Sequence, residues 1–203
     1  MDMVQRHAEG SRAGGRKRLT AQDWADAALS AMGEGGLAAV AIEPLATRLG
    51  TTKGSFYWHF ANREALIEAA LDRWEQKSTE SVIAGLESER DPAVRLRRLF
   101  VEASELAAED PLEVSLPASA GHPRVAAALR RVTERRVGYL AQLFVELGFP
   151  SDDARRRALL AYTGYLGHTQ LVHAVPETLP AGEEGERYLA SVLDTLLAAT
   201  PES

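Results

Sequence analysis

Apolar residues recur along this chain at helical spacing, and no stretch alternates with the period of two that marks a half-buried strand. Trp24, Ala27, Ala28, Ala31 and Met32 fall at i, i+3, i+4, i+7 and i+8, one stripe of an amphipathic helix. Thr20 and Asp23 form a variant capping box ahead of it, with Asp in place of the usual Glu, and Leu19 and Trp24 hold the two staple positions. Gly33, Gly35 and Gly36 end that helix. Leu37 and Val40 lead into a second one with Ile42, Leu45, Ala46 and Leu49 on its apolar face. Pro44 is tolerated only in a first turn, so this helix starts at about Ile42 or Glu43. Gly50 follows the last apolar residue, where a positive φ is often required. Thr51 or Thr52 then caps a third helix, over about Thr52 to His59. Phe56 returns from it to the core, and Ala46 is small where the two helices cross.

Beyond Phe60 the pattern remains helical. Asn62 caps a helix from Arg63 to about Glu87, with Leu66, Ala69, Ala70 and Trp74 inward. Asp91-Pro92 opens one from Ala93 to about Ala108, and Asp110-Pro111 breaks it. Pro117 and Gly121 bound a short irregular helix. His122-Pro123 opens a long helix to Leu147, closed by Gly148. Ser151 caps one from Asp152 to about His173, and a last helix runs from about Glu183 to Ala199. The fold class is all-α, with a three-helix domain at 19–62, a helical domain at 63–203 and a disordered basic arm at 1–18.

The stretch Ile42–Phe60 reads as a helix-turn-helix, a device that places its second helix in the major groove of DNA. Spacing alone fits a plain helical hairpin as well. The second helix favours the first reading, because Thr51, Thr52, Lys53, Ser55, Tyr57 and His59 cluster hydrogen-bond donors that suit phosphate oxygens.

The run Thr52-Lys53-Gly54-Ser55-Phe56-Tyr57-Trp58-His59-Phe60, followed by Asn62-Arg63-Glu64-Ala65-Leu66, closely resembles the DNA-binding signature of the TetR family of transcriptional regulators. Leu45-Ala46 and Gly50 stand where that signature has them, and the strong match covers roughly Thr20 to Leu71. The resemblance implies that Thr51, Thr52, Lys53, Tyr57 and His59, with Arg48, contact mostly DNA backbone, and that Gly54 and Ser55 lie closest to the base edges. Trp58 sits at a variable position, where an aromatic either touches sugar and thymine methyl groups or packs on the domain. Ala41 is a departure: many relatives carry Ser or Thr there, and losing that cap costs on the order of 1 kcal/mol of helix stability.

The resemblance also implies that residues 63–203 form a ligand-binding and dimerisation domain. A homodimer through the last two helices, at about 152–173 and 183–199, fits their apolar sets: Leu159, Tyr162 and Leu166, and Leu189, Val192, Leu193, Leu196 and Leu197. The same faces are also consistent with packing inside one chain. Trp74, Phe100, His122, Tyr139, Tyr162, Tyr165 and His168 are candidate pocket residues for a small-molecule effector, though core packing or a dimer contact accounts for each more readily. Arg155-Arg156-Arg157 reads as a solvated face. Arg130, Arg131, Arg135 and Arg136 do too, with one of them available to an acidic ligand.

Composition narrows the alternatives. The net charge of −6 argues at first against DNA binding, but it is unevenly placed. Residues 1–62 carry seven Lys or Arg against six Asp or Glu, and the remainder sixteen against twenty-three. Arg12, Arg16, Lys17 and Arg18 crowd before the first helix, either as a solvated tail or as an arm that adds salt-dependent attraction to DNA. The chain has no cysteine, which removes disulfides, thiolate metal sites and thiol nucleophiles. His168 and His173 are five apart and point in different directions, so no metal is expected, and no cofactor. No phosphate loop or nucleophile elbow appears, and the chain does not read as an enzyme. It has no run long enough to span a membrane and no signal-peptide pattern, so a cytoplasmic location is expected.

Overall fold

The computed structural model describes residues 18–198, every regular element among them helical. Arg12, Arg16 and Lys17 lie outside the described residues, as does the chain after Ala198. Helix α1 spans Ala21–Gly35, α2 Ile42–Arg48, α3 Lys53–Phe56, α4 Arg63–Glu75, α5 Ser81–Leu86, α6 Pro92–Glu109, α7 Leu112–Ala118, α8 Pro123–Glu146, α9 Ser151–Ala174 and α10 Gly182–Leu197.

The local signals act as expected at several ends. Thr20 Oγ1 accepts from the Asp23 N–H at 3.2 Å while the Asp23 carboxylate accepts from the Thr20 N–H at 2.7 Å, completing the box. Gly50 turns α2 towards α3 at φ 63°, a value an L side chain resists. Asn62 accepts from the Ala65 N–H at 2.9 Å and starts α4. Two expected caps are corrected. Thr52 holds the N-cap position of α3, but its hydroxyl makes no capping bond. Ser151 lies inside the first turn of α9, with Pro150 at the cap.

Two cores stand one above the other. In the first, Trp24, Met32, Leu45 and Phe56 are joined by Leu66, Ile67 and Leu71 of α4, Leu112 and Leu116 of α7, and Val125, Ala128 and Val132 of α8. This core crosses residue 62, because three short helices leave an open side that α4 covers. In the second, Ile83, Leu86, Leu96, Leu143, Phe144, Ala158 and Tyr162 gather with Leu193 and Leu196 of α10.

The single helix expected over 63–87 is interrupted by a π-helical turn at Gln76–Glu80. The buried stripe explains it. Leu66, Ala70 and Trp74 recur every four residues, but the next buried positions are Thr79 and Ile83. One extra residue in the turn keeps this face inward, and such turns often mark functional positions.

The Arg-rich stretches on α8 and α9 are not simply solvated. Arg131 pairs with Glu75 at 2.8 Å and Arg135 with Glu80 at 2.9 Å, which lace α8 to the α4–α5 path. Arg157 pairs with Asp153 at 2.7 Å, lies 4.1 Å from the Phe149 ring centre and donates to the Leu196 carbonyl of α10. Helical spacing turned these side chains towards neighbouring acids, which a one-dimensional charge count does not reveal.

Candidate DNA-binding face and effector cavity

Helix α3 is shorter than the sequence suggests, ending at Phe56, and the chain continues to Phe60 in tight turns. His59 N–H donates to the Phe56 carbonyl at 2.9 Å and Phe60 N–H to the same oxygen at 3.0 Å. Gly54 near the middle of a four-residue helix favours this early fraying. The turns hold Phe56 and Phe60 inward. The Phe56 ring stacks on Phe60 at 5.7 Å and meets Trp24 edge-on at 5.3 Å. Trp58 lies between these two anchors in sequence and points the opposite way, 87% exposed, so it does not pack on the domain.

Arg18, Thr51, Thr52, Gly54, Ser55, Trp58 and His59 line one surface concavity, with Leu19 and Leu49 at its base. Tyr57 is 55% exposed and rests its ring edge on Phe56. The cations beside it are not free. Lys53 Nζ lies 2.8 Å from Glu43, and Arg48 lies 2.7 Å from Glu34. The hydrogen bond from Lys53 holds the Glu43 carboxyl below the usual carboxylate range, and the same bond raises Lys53. Both pairs are exposed and salt-sensitive.

The second half holds a partly open cavity of about 380 Å³ among α5, α6, α8, α9 and α10. Phe100, Tyr139, Tyr162, Tyr165 and His168 line it, as the sequence suggested, along with Val82, Ile83, Leu99, Leu140 and Leu189. His168 stacks on Tyr188 across α9 and α10 at 6.2 Å, and its Nδ1 is buried without a partner. Burial pushes the His168 imidazole below its ordinary value, which favours the neutral ring. Tyr162 shares a 3.3 Å hydrogen bond with Thr133.

Residues 25–70 match the model of the family described as bacterial regulatory proteins, tetR family. The chain carries the DNA-binding domain of the TetR family. Solved structures extend the likeness in fold to the second half. A transcriptional regulator from Rhodococcus sp. Rha1 is 23% identical with a TM-score of 0.66, over 88% of this chain and 94% of that one. The fatty acid degradation regulator FadR from Bacillus halodurans is 17% identical with a TM-score of 0.67, over 90% and 96%. SmeT, the repressor of the Stenotrophomonas maltophilia multidrug efflux pump SmeDEF, is 20% identical with a TM-score of 0.67, over 88% and 90%. Comparison with curated proteins finds no match.

Two expected pocket residues lie elsewhere. Trp74 is buried in the first core, on the far side of Arg136. His122 stands before α8 with its Nε2 3.3 Å from Glu64, because Pro123 places it at the helix start beside α4. Arg136, read from the sequence as part of a solvated face with one arginine available to an acidic ligand, instead lines the cavity. Its signal was present: Val132, Arg136, Leu140 and Leu143 share one helix stripe, and a lone Arg on an apolar stripe needs a buried partner. That partner is Glu113 of α7, 2.9 Å away, with side-chain exposures of 13% and 7%. Among the described residues no group of three or more His, Asp or Glu is arranged to hold a metal ion, and no helix is long and apolar enough to cross a membrane.

Proposed function

We propose that this protein is a homodimeric, sequence-specific transcriptional regulator of the cytoplasm, a repressor that leaves a palindromic operator when a small molecule enters the second domain. The observation that carries this reading is the pairing of an exposed α3 face with a partly open cavity of about 380 Å³ in the same chain. A cavity of that size, mostly apolar with a few polar groups, is the usual form of a small-molecule site. The alternative, a DNA-binding or architectural protein that takes no ligand, is better served by a fully packed second domain.

On this reading Thr51, Thr52, Lys53, Tyr57 and His59 hold the DNA backbone, while Ser55, Gly54 with no side chain in the way, and the projecting Trp58 face the bases. Arg48 adds charge at the edge. Arg16, Lys17 and Arg18 form the base of an arm along the duplex, and Arg18 already flanks the concavity. The dimer forms through α9 and α10. Support comes from Leu159 and Leu171, 53% and 42% exposed and outside the cavity lining. Gly167 faces open space, as a close helix contact requires. A two-fold pair sets its α3 helices about 34–36 Å apart, one turn of duplex. Ligand then biases the pair towards a spacing that no longer fits, a coupling of about 1–3 kcal/mol in comparable systems.

Selection of binding sites from random duplexes, at a stated salt concentration, tests the reading. An enriched palindrome with half-sites about one helical turn apart is the expected result. Weak, salt-sensitive binding with no enriched sequence would overturn it in favour of a non-specific role.

A further inference from the structure

We infer that the effector of this chain carries no charge: an apolar molecule with a hydroxyl or carbonyl group aimed at Arg136. The inference rests on the cavity being an effector site, as proposed above. Arg136 is the one charged side chain in the cavity lining. An arginine in such a place ordinarily selects a carboxylate or phosphate, through two parallel N–H bonds. Here those bonds are already made. Glu113 accepts from Nη2 at 2.9 Å and from Nη1 at 3.1 Å. Nε donates to the Thr79 hydroxyl at 2.9 Å, and Nη2 also donates to Ser78, to its hydroxyl at 3.0 Å and its carbonyl at 3.2 Å. The guanidinium is held between the rings of Trp74 and Tyr165, at 5.7 and 5.9 Å.

Two consequences follow. The charge of Arg136 is matched by Glu113, so an anion entering the cavity brings an unbalanced charge into a mostly apolar pocket, and a cation does the same. One N–H of Nη1 remains, enough for one neutral acceptor. His168 is held towards its neutral form by burial, so it supplies a hydrogen-bonding nitrogen rather than a charge. The rest of the lining is mostly aliphatic and aromatic, with Leu99, Phe100, Leu140 and Tyr162 representative, and Ser104, Ser191 and Thr195 add only neutral hydroxyls.

The test uses the full chain and two probe skeletons, a ten-carbon chain and a naphthalene ring, each carrying a primary alcohol, a carboxylate or an ammonium group. Calorimetric titration at about pH 7.5 keeps both acids and both amines ionised. The expected result is that, on at least one skeleton, the alcohol binds about tenfold or more tighter than both charged members. A smaller preference, or a charged member bound as tightly, overturns the inference and leaves the effector site standing. Failure of all six probes to bind overturns both. A second arm uses Glu113→Gln, which keeps the side-chain shape and releases the charge of Arg136. Carboxylate affinity is expected to rise by about tenfold in this variant. An unchanged carboxylate affinity in folded Glu113→Gln would show that Glu113 does not set the selectivity, and would overturn the argument.

Discussion

Removing Glu113 from beneath Arg136 is the most demanding stability test available in this molecule. The pair is nearly enclosed, with side-chain exposures of 13% for Arg136 and 7% for Glu113, and it joins α8 to α7 through two charge-assisted bonds. Burial alone disfavours the guanidinium charge, and the hydrogen bonds and field of Glu113 more than reverse this, raising Arg136 well above its ordinary value. Glu113→Ala leaves that charge buried with only the neutral groups of Ser78 and Thr79 as hydrogen-bond partners. Breaking one side of a buried pair typically costs about 3–5 kcal/mol. With a urea slope of about 3 kcal/mol/M, a loss of 3 kcal/mol lowers the unfolding midpoint by about 1 M. The double variant Arg136→Met with Glu113→Leu removes both charges and keeps most of the volume, so it is expected to unfold within about 1 kcal/mol of the parent chain. Protein concentration is held fixed across the series, since a dimer gains stability with concentration. A loss under about 1 kcal/mol in Glu113→Ala, or a double variant as unstable as the two single changes summed, would refute the claim that the two charges depend on each other.

Three further outcomes follow from the DNA face and the α9–α10 face. Tyr57→Phe is expected to weaken operator binding by a similar factor on every sequence, read by fluorescence anisotropy, because a phosphate contact carries no base preference. A changed sequence preference would place Tyr57 at a base edge instead. Glu43→Gln frees Lys53 from its 2.8 Å partner and is expected to tighten binding at low salt and steepen the salt dependence, checked by the same titrations at several ionic strengths. Gly167→Ala meets nothing within 4 Å inside one chain and should gain about 1 kcal/mol of helix propensity, yet a close contact between copies would lose to the added methyl group. Sedimentation is therefore expected to show a weakened dimer, and an unchanged dimer with a more stable chain would move the interface elsewhere.

Much of the first seventy residues was legible in sequence because their determinants are local. The Thr20–Asp23 box, the positive φ of Gly50, the Asn62 cap and the inward Phe56 each depend on residues within a few positions of one another. The aromatic pocket residues were partly legible for the same reason. Phe100, Tyr139, Tyr162, Tyr165 and His168 lie on predicted helices, and all five reach the cavity. Trp74 and His122 were misplaced because helical periodicity gives a face but not the neighbour that face meets.

What the sequence by itself determined was the all-helical pattern, the turn between α2 and α3, and the exposed polar run proposed as the DNA-binding face. Tertiary structure alone decided which charges are solvated and which are buried. Arg136, Arg157 and Arg131 look alike in a sequence of many arginines. Only the packing of α7 and α8 gives the first a buried Glu113, only α10 offers the second a carbonyl, and only α4 gives the third its carboxylates. The π-helical turn at Gln76–Glu80 belongs to the same class of fact. Its cause is a mismatch between the stripe facing the first core and the stripe facing the second. That mismatch exists only once both cores have formed around one continuous helical path.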